Sequence, residues 1–210
     1  MEAGKTLTDD YERIRKSQDA GELSRAAREK VSKEEVGEEA FAVKSALLEA
    51  VAANPATPVE DRIYLAASSS FPNILVRLSS DPDAEVRRAV AANPASKNWL
   101  ISKLTKDGEE KVRDAALENP NASWKARLDA AQNPSSSPEA LRFLSGLGKG
   151  AAEGTRDFVL SSMVRSSVLR NPSCPSEVFA DLAEDPSPEV AKAAAARGSS
   201  RATGGSDNVQ

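Results

Sequence analysis

The sequence predicts an all-α fold, a right-handed α-solenoid of short helical repeats, and three observations predict it. The first is self-similarity at a fixed period. Asp81-Pro-Asp-Ala-Glu-Val-Arg-Arg-Ala-Val-Ala-Ala-Asn-Pro94 returns 26 residues later as Asp107-Gly-Glu-Glu-Lys-Val-Arg-Asp-Ala-Ala-Leu-Glu-Asn-Pro120. Two periods beyond Val112-Arg113 and Asn119-Pro120 stand Val164-Arg165 and Asn171-Pro172, and one more period reaches Val190 and Arg197-Gly198. Such periods mark stacked-repeat architectures. The second is punctuation. Asn-Pro occurs at 54, 93, 119, 133 and 171, and the residue before a proline is pushed out of the α region, which ends a helix. The third is apolar residues at helical spacing between these stops: Leu100, Ile101 and Leu104; Leu141 and Leu144; Val178, Phe179 and Leu182.

Residues 1–40 are the most charged part, with 11 acids and 8 bases. Leu7, Tyr11 and Ile14 share one helical face, and Leu23, Ala26, Ala27 and Val31 another. Two readings stand: a polar cap over the apolar edge of the first repeat, which stacked arrays require, or a segment that orders on binding. The repeat array is expected over 41–198. Thr57-Pro58-Val59-Glu60 and Ser136-Ser137-Pro138-Glu139 read as capping boxes with a proline in the first helical turn. Each half-unit is a helix of about ten residues, too short to persist without burying a face against its neighbours. Val86, Ala89 and Val90 supply that face, matched by Val112, Ala115, Ala116 and by Val164, Ser167, Val168. The register slips twice. Ser68-Ser-Ser-Phe-Pro72 is an irregular junction, and Asn133-Pro134 arrives at a half-step, so the unit between Asn119 and Asn171 is degenerate. Gly-rich residues 145–156 read as a flexible loop, and the Gly- and Ser-rich stretch 199–210 as a disordered tail.

Composition narrows function. Net charge is −4, from 32 acidic and 28 basic residues, which disfavours general binding to polyanions. The chain has no His, which removes the commonest general base and every His-ligated metal site. Its one cysteine, Cys174, excludes an intrachain disulfide and a cysteine-rich zinc or iron–sulfur site. The first residues lack the apolar core of a secretory signal, and no apolar run approaches bilayer-spanning length. The expectation is a soluble, cytoplasmic, non-enzymatic protein without metal or cofactor.

Units of the form Asp-Pro-x-x-Glu-Val-Arg-x-Ala-Val-Ala-x-Asn-Pro, followed by a Ser/Thr-x-x-Glu-x-Leu helix start, resemble the bacterial variant leucine-rich repeats, helical and HEAT-like rather than stranded. The match is best over Asp81–Pro94, Asp107–Pro120 and Asn171–Gly198, and partial at Leu47–Leu65. The resemblance implies alternating α and 3₁₀ helices. It does not carry over the founding member's iron–sulfur cluster, because the N-terminal cysteines are missing. Such repeats inform on fold and little on activity.

Arg87, Arg113 and Arg165 recur at one slot, with Arg88 beside the first, and equal slots align along a stack. They form a candidate ladder for carboxylates on a partner or for phosphates. The alternative is that each packs over a neighbouring helix and pairs with recurring acids such as Asp81, Glu85 or Glu110. Trp99 and Trp124, each at the helix start after an Asn-Pro, are candidate anchors or fillers between repeats. Gly146-x-Gly148-x-Gly150 with Lys149 lacks the spacing and the preceding strand of a phosphate loop. Cys174 stands in the slot of Thr57, a helix-start position. The function expected is binding of a protein or peptide along the stacked helices, the alternative being nucleic-acid binding through the arginine ladder.

Overall fold

The computed structural model describes the backbone of residues 7–29 and 33–203, and the side chains of 9–29 and 41–197. These residues form α-helices joined by turns and contain no strand. The chain divides into two units, 1–121 and 122–210. The first holds α1 (Leu7–Lys16), α2 (Ala20–Arg28), α3 (Lys33–Ala53), α4 (Val59–Ser68), α5 (Pro72–Leu78), α6 (Ala84–Ala92), α7 (Asn98–Leu104) and α8 (Glu110–Glu118). The second holds α9 (Trp124–Gln132), α10 (Pro138–Gly146), α11 (Arg156–Arg170), α12 (Ser176–Leu182) and α13 (Pro188–Thr203). The array expected to run unbroken over 41–198 is therefore divided, at the half-step. Between Asn119 and Asn133 there is room for one helix, α9, where a full repeat has two.

Within each unit, helices one repeat apart lie side by side: α4 on α6 and α6 on α8 in the first, α9 on α11 and α11 on α13 in the second. Asparagine splices them. Four of the five helices that end in Asn-Pro turn that side chain onto the end of the preceding helix in their stack; among the described residues, the exposed Asn133 of α9 does not. Asn93 Nδ2 donates to the carbonyls of Ala66 (2.8 Å) and Ser69 (2.9 Å). Asn119 donates to Ala91 (2.7 Å) and Asn93 (2.9 Å). Asn171 donates to Ala131 (2.9 Å) and Asn133 (2.8 Å). Asn54 does the same to Ile14 and Ser17 at the end of α1. Each Oδ1 also accepts from the N–H two residues on. A helix leaves its last carbonyls unpaired, and the asparagine satisfies them from the next repeat. Arg197, 26 residues after Asn171, fills this slot in α13 and reaches the Leu169 carbonyl.

The hydroxyl three residues after each asparagine turns back rather than forward. Thr57, Ser96 and Ser136 donate to the carbonyls of Val51, Val90 and Ala130. The capping boxes expected at 57–60 and 136–139 are corrected accordingly: Pro58 is the N-cap of α4, which has no side-chain cap, and α10 is capped by Ser137, which accepts from the Ala140 N–H at 2.9 Å. Cys174 occupies the same slot, buried. The short helices α5, α7 and α12 are α-helices of seven residues, not the 3₁₀ helices that the resemblance implied. Tightening is confined to their ends, through i→i−3 bonds such as Leu100 N–H to Lys97 at an entry turn and Asp81 N–H to Leu78 at an exit turn. Each buries one apolar stripe: Ile74, Leu75, Leu78; Leu100, Ile101, Leu104; Val178, Phe179, Leu182.

Helices α1 and α2 pack against α3 and α4, burying Ile14, Leu23 and Ala27. Val31 lies outside the described residues. Asp61 of α4, buried, accepts from Ser24 and from Arg28 Nε (2.6 Å), so α2 is fastened by polar bonds as well. Of the segment 145–156, expected as a flexible loop, Ser145 and Gly146 end α10, Arg156 begins α11, and the connection between is tied down. Arg165 donates to the Leu147 carbonyl at 2.5 Å, and Lys149 pairs with Asp181 at 2.6 Å. Gly148 has φ +63°, and a Cβ there would stand 2.5 Å from Ser161 Cβ. In the expected tail, α13 continues through Thr203, and 204–210 lie outside the described residues.

Candidate partner-binding surface

In α4 and α6 the recurring arginine sits near the start of its helix, within reach of the carbonyls of the turn just passed and of the Asp of the next turn. Arg87 Nη1 donates to the carbonyls of Asp81 (2.9 Å) and Pro82 (3.1 Å), while Nε and Nη2 hold both carboxylate oxygens of Asp107 at 2.9 Å. Arg62 does the same with the Thr57 carbonyl and Asp81, a repeat missed in the sequence because Asp rather than Val precedes it. Arg165 holds Asp185 at 2.7 and 3.0 Å. Bidentate fork geometry makes these strong pairs. The bond to Arg87 holds the Asp107 carboxyl below its ordinary range despite partial burial, and Asp107 in turn raises the guanidinium.

The three arginines of the expected ladder are therefore not presented together on one exposed surface. Arg165 has no exposed side-chain area, and Arg87 only 16%. Arg113 makes the two backbone bonds, to Asp107 (2.8 Å) and Gly108 (2.9 Å), but its counterpart twenty residues on is Asn133, and no ion pair to it exists among the described residues. Arg88 is exposed and pairs with Glu85 at 2.7 Å. At Asp81, Asp107 and Asp185 a recurring acid thus accounts for a recurring base, and at Arg113 it does not.

The tryptophans part company. Trp124 packs against the core of the second unit with the Arg127 guanidinium 5.3 Å above its ring. Burial lowers the pKa of that guanidinium. Trp99 is 58% exposed, the most exposed large apolar side chain among the described residues. It lies in the first turn of α7. One turn later on the same face, Lys103 reaches the end of α5, donating to Ser80 Oγ (2.7 Å) and Ser79 Oγ (3.2 Å). The face of α7 that carries Trp99 is thus the one turned toward α5, whose outer residues Asn73, Val76 and Arg77 are exposed. Asn73 and Arg77 precede Trp99 and Lys103 by 26 residues.

No family model, curated protein or solved structure matches this chain. The surface must be read from its own chemistry. Its cations at 77 and 103 repeat with the same period as the Val-Arg slot. The signal that could have found them is that 69–80 and 93–106 contain no Asp or Glu. In the second unit a shallow polar groove of about 270 Å³ is lined by Gln132, Ser167, Arg170 and Glu189, with Met163 at its edge. No helix is long and apolar enough to cross a membrane among the described residues.

Proposed function

We propose that this chain is a non-enzymatic, cytoplasmic helical-repeat scaffold of the variant leucine-rich repeat kind, and that it binds a protein or peptide across α5 and α7. The observation that carries the reading is Trp99. An indole more than half exposed is the kind of anchor that supplies most of the energy of a protein interface. Trp124, at the neighbouring helix start, is covered by its own unit, so exposure at 99 is a property of that site and not of tryptophan in these repeats. The splicing asparagines, Asp-paired arginines and back-turned hydroxyls are all engaged in holding repeats together. That leaves α5 and α7 as the rigid platform and their outer face as the variable surface. The nucleic-acid reading drew on Arg87, Arg113 and Arg165. With Arg165 enclosed and Arg87 held by Asp107, only Arg113 of the three is left without an acid partner among the described residues, which weakens that reading.

The test is a photo-crosslinking residue at position 99 in the native cell, with the exposed Ala67 and Glu118 positions as controls. A discrete protein adduct from 99 and not from the controls is expected. Equal labelling from all three would remove Trp99 as an interface residue.

A further inference from the structure

We infer that the α5–α7 surface takes an acidic peptide segment carrying a bulky apolar residue, an inference that rests on the scaffold reading and specifies its partner. Residues 69–80 and 93–106 hold four cations, Arg77, Lys97, Lys103 and Lys106, and no carboxylate. All four are exposed. None makes an ion pair among the described residues, and the polar partners of Lys103 are the neutral serines 79 and 80.

The corresponding face of the second unit shows what a self-sufficient version looks like. Three periods after α7, α12 puts Glu177 in the slot of Trp99 and Asp181 in the slot of Lys103. Those carboxylates are neutralised within the chain, Glu177 by Arg142 at 2.8 Å and Asp181 by Lys149 at 2.6 Å. On α5 and α7 the cations are in place and their counter-charges are not. The partner supplies them.

Arg77 and Lys103 lie one repeat apart, and Lys103 links the two segments through its bonds to Ser79 and Ser80. A peptide's carboxylates would pair with these two cations, with an apolar side chain against the exposed Trp99 ring. Single-stranded nucleic acid fits less well: base stacking uses successive aromatic platforms, and the slot before Trp99 is Asn73.

The experiment uses the full-length protein, its W99A variant and its R77E/K103E variant, each confirmed to melt as the parent does. A displayed library of random peptides about a dozen residues long is selected on each. We expect the parent to enrich peptides rich in Asp and Glu around one bulky apolar residue. Affinity for a selected peptide should fall at least about tenfold in R77E/K103E, and weaken with salt. Enriched peptides that are neutral or basic, or that bind R77E/K103E equally well, overturn the acidic-segment assignment while W99A sensitivity leaves the scaffold reading standing. No enrichment over W99A removes the docking surface and the scaffold reading with it. Tighter binding of oligothymidylate than of any selected peptide, or a dimer abolished by R77E/K103E, overturns the inference in favour of nucleic acid or self-association.

Discussion

The guanidinium of Arg165 holds both carboxylate oxygens of Asp185, at 2.7 and 3.0 Å, and neither side chain is reached by solvent. A pair this enclosed is costly to break from one side, because the surviving charge is left buried and unmatched. R165A should therefore lower unfolding free energy by about 3–5 kcal/mol. R113A, at the same slot without an acid partner, should cost about 1 kcal/mol. Urea denaturation midpoints decide this, and equal losses would show that the acid partner is immaterial.

Asn119 is the second test of how repeats are joined. It is buried, and its amide satisfies two carbonyls of α6 and its exit turn. N119A should cost about 1–3 kcal/mol, the penalty for orphaning buried acceptors. N119D should cost more, since a carboxylate would face those same carbonyls. If N119D were the milder change, the amide would not be acting as a donor.

Gly148 couples the 147–155 connection to α11. G148A meets two obstacles, a positive φ and the Ser161 side chain. S161G in the same chain removes only the second, so the double variant should recover part of the loss and not all of it. Full recovery would mean that the left-handed backbone carries no cost.

The acid limb of stability should carry the mark of Asp107. Its folded pKa is lowered, first by Arg87, so the unfolded chain takes up the proton at the higher pH, near about 3.9. The resulting stabilisation is complete above that value and disappears as pH falls through the folded value. The stability gap between the parent and D107N should thus be largest near neutrality and close in strong acid. A gap constant with pH would contradict the assignment.

Trp99 and Trp124 should separate stability from binding. W99A should change stability by less than about 0.5 kcal/mol, as exposed substitutions do. W124A should cost about 2 kcal/mol or more through lost packing. A large loss for W99A would mean that the ring is structural after all.

Much of the fold was legible because it rests on short-range chemistry. Proline forces the helix stops, the apolar triplets mark the buried stripes, and the 26-residue step puts α6 beside α8. The candidate site was legible only as periodicity. The slots 87/113 and 77/103 both repeat a cation, and nothing local says which faces outward. The difference is that Arg87 has Asp107 twenty residues on, whereas Arg77 and Lys103 stand on segments without acids. The tryptophans illustrate the same limit. Trp99 is six residues past Asn93 and Trp124 five past Asn119, and one residue turns a side chain about 100° around a helix. The sequence by itself determined where this chain turns, that it is helical and which residues recur. Only the tertiary structure decided which recurring residues are consumed between repeats and which face solvent, because a side chain's environment is made by neighbours twenty to forty residues away.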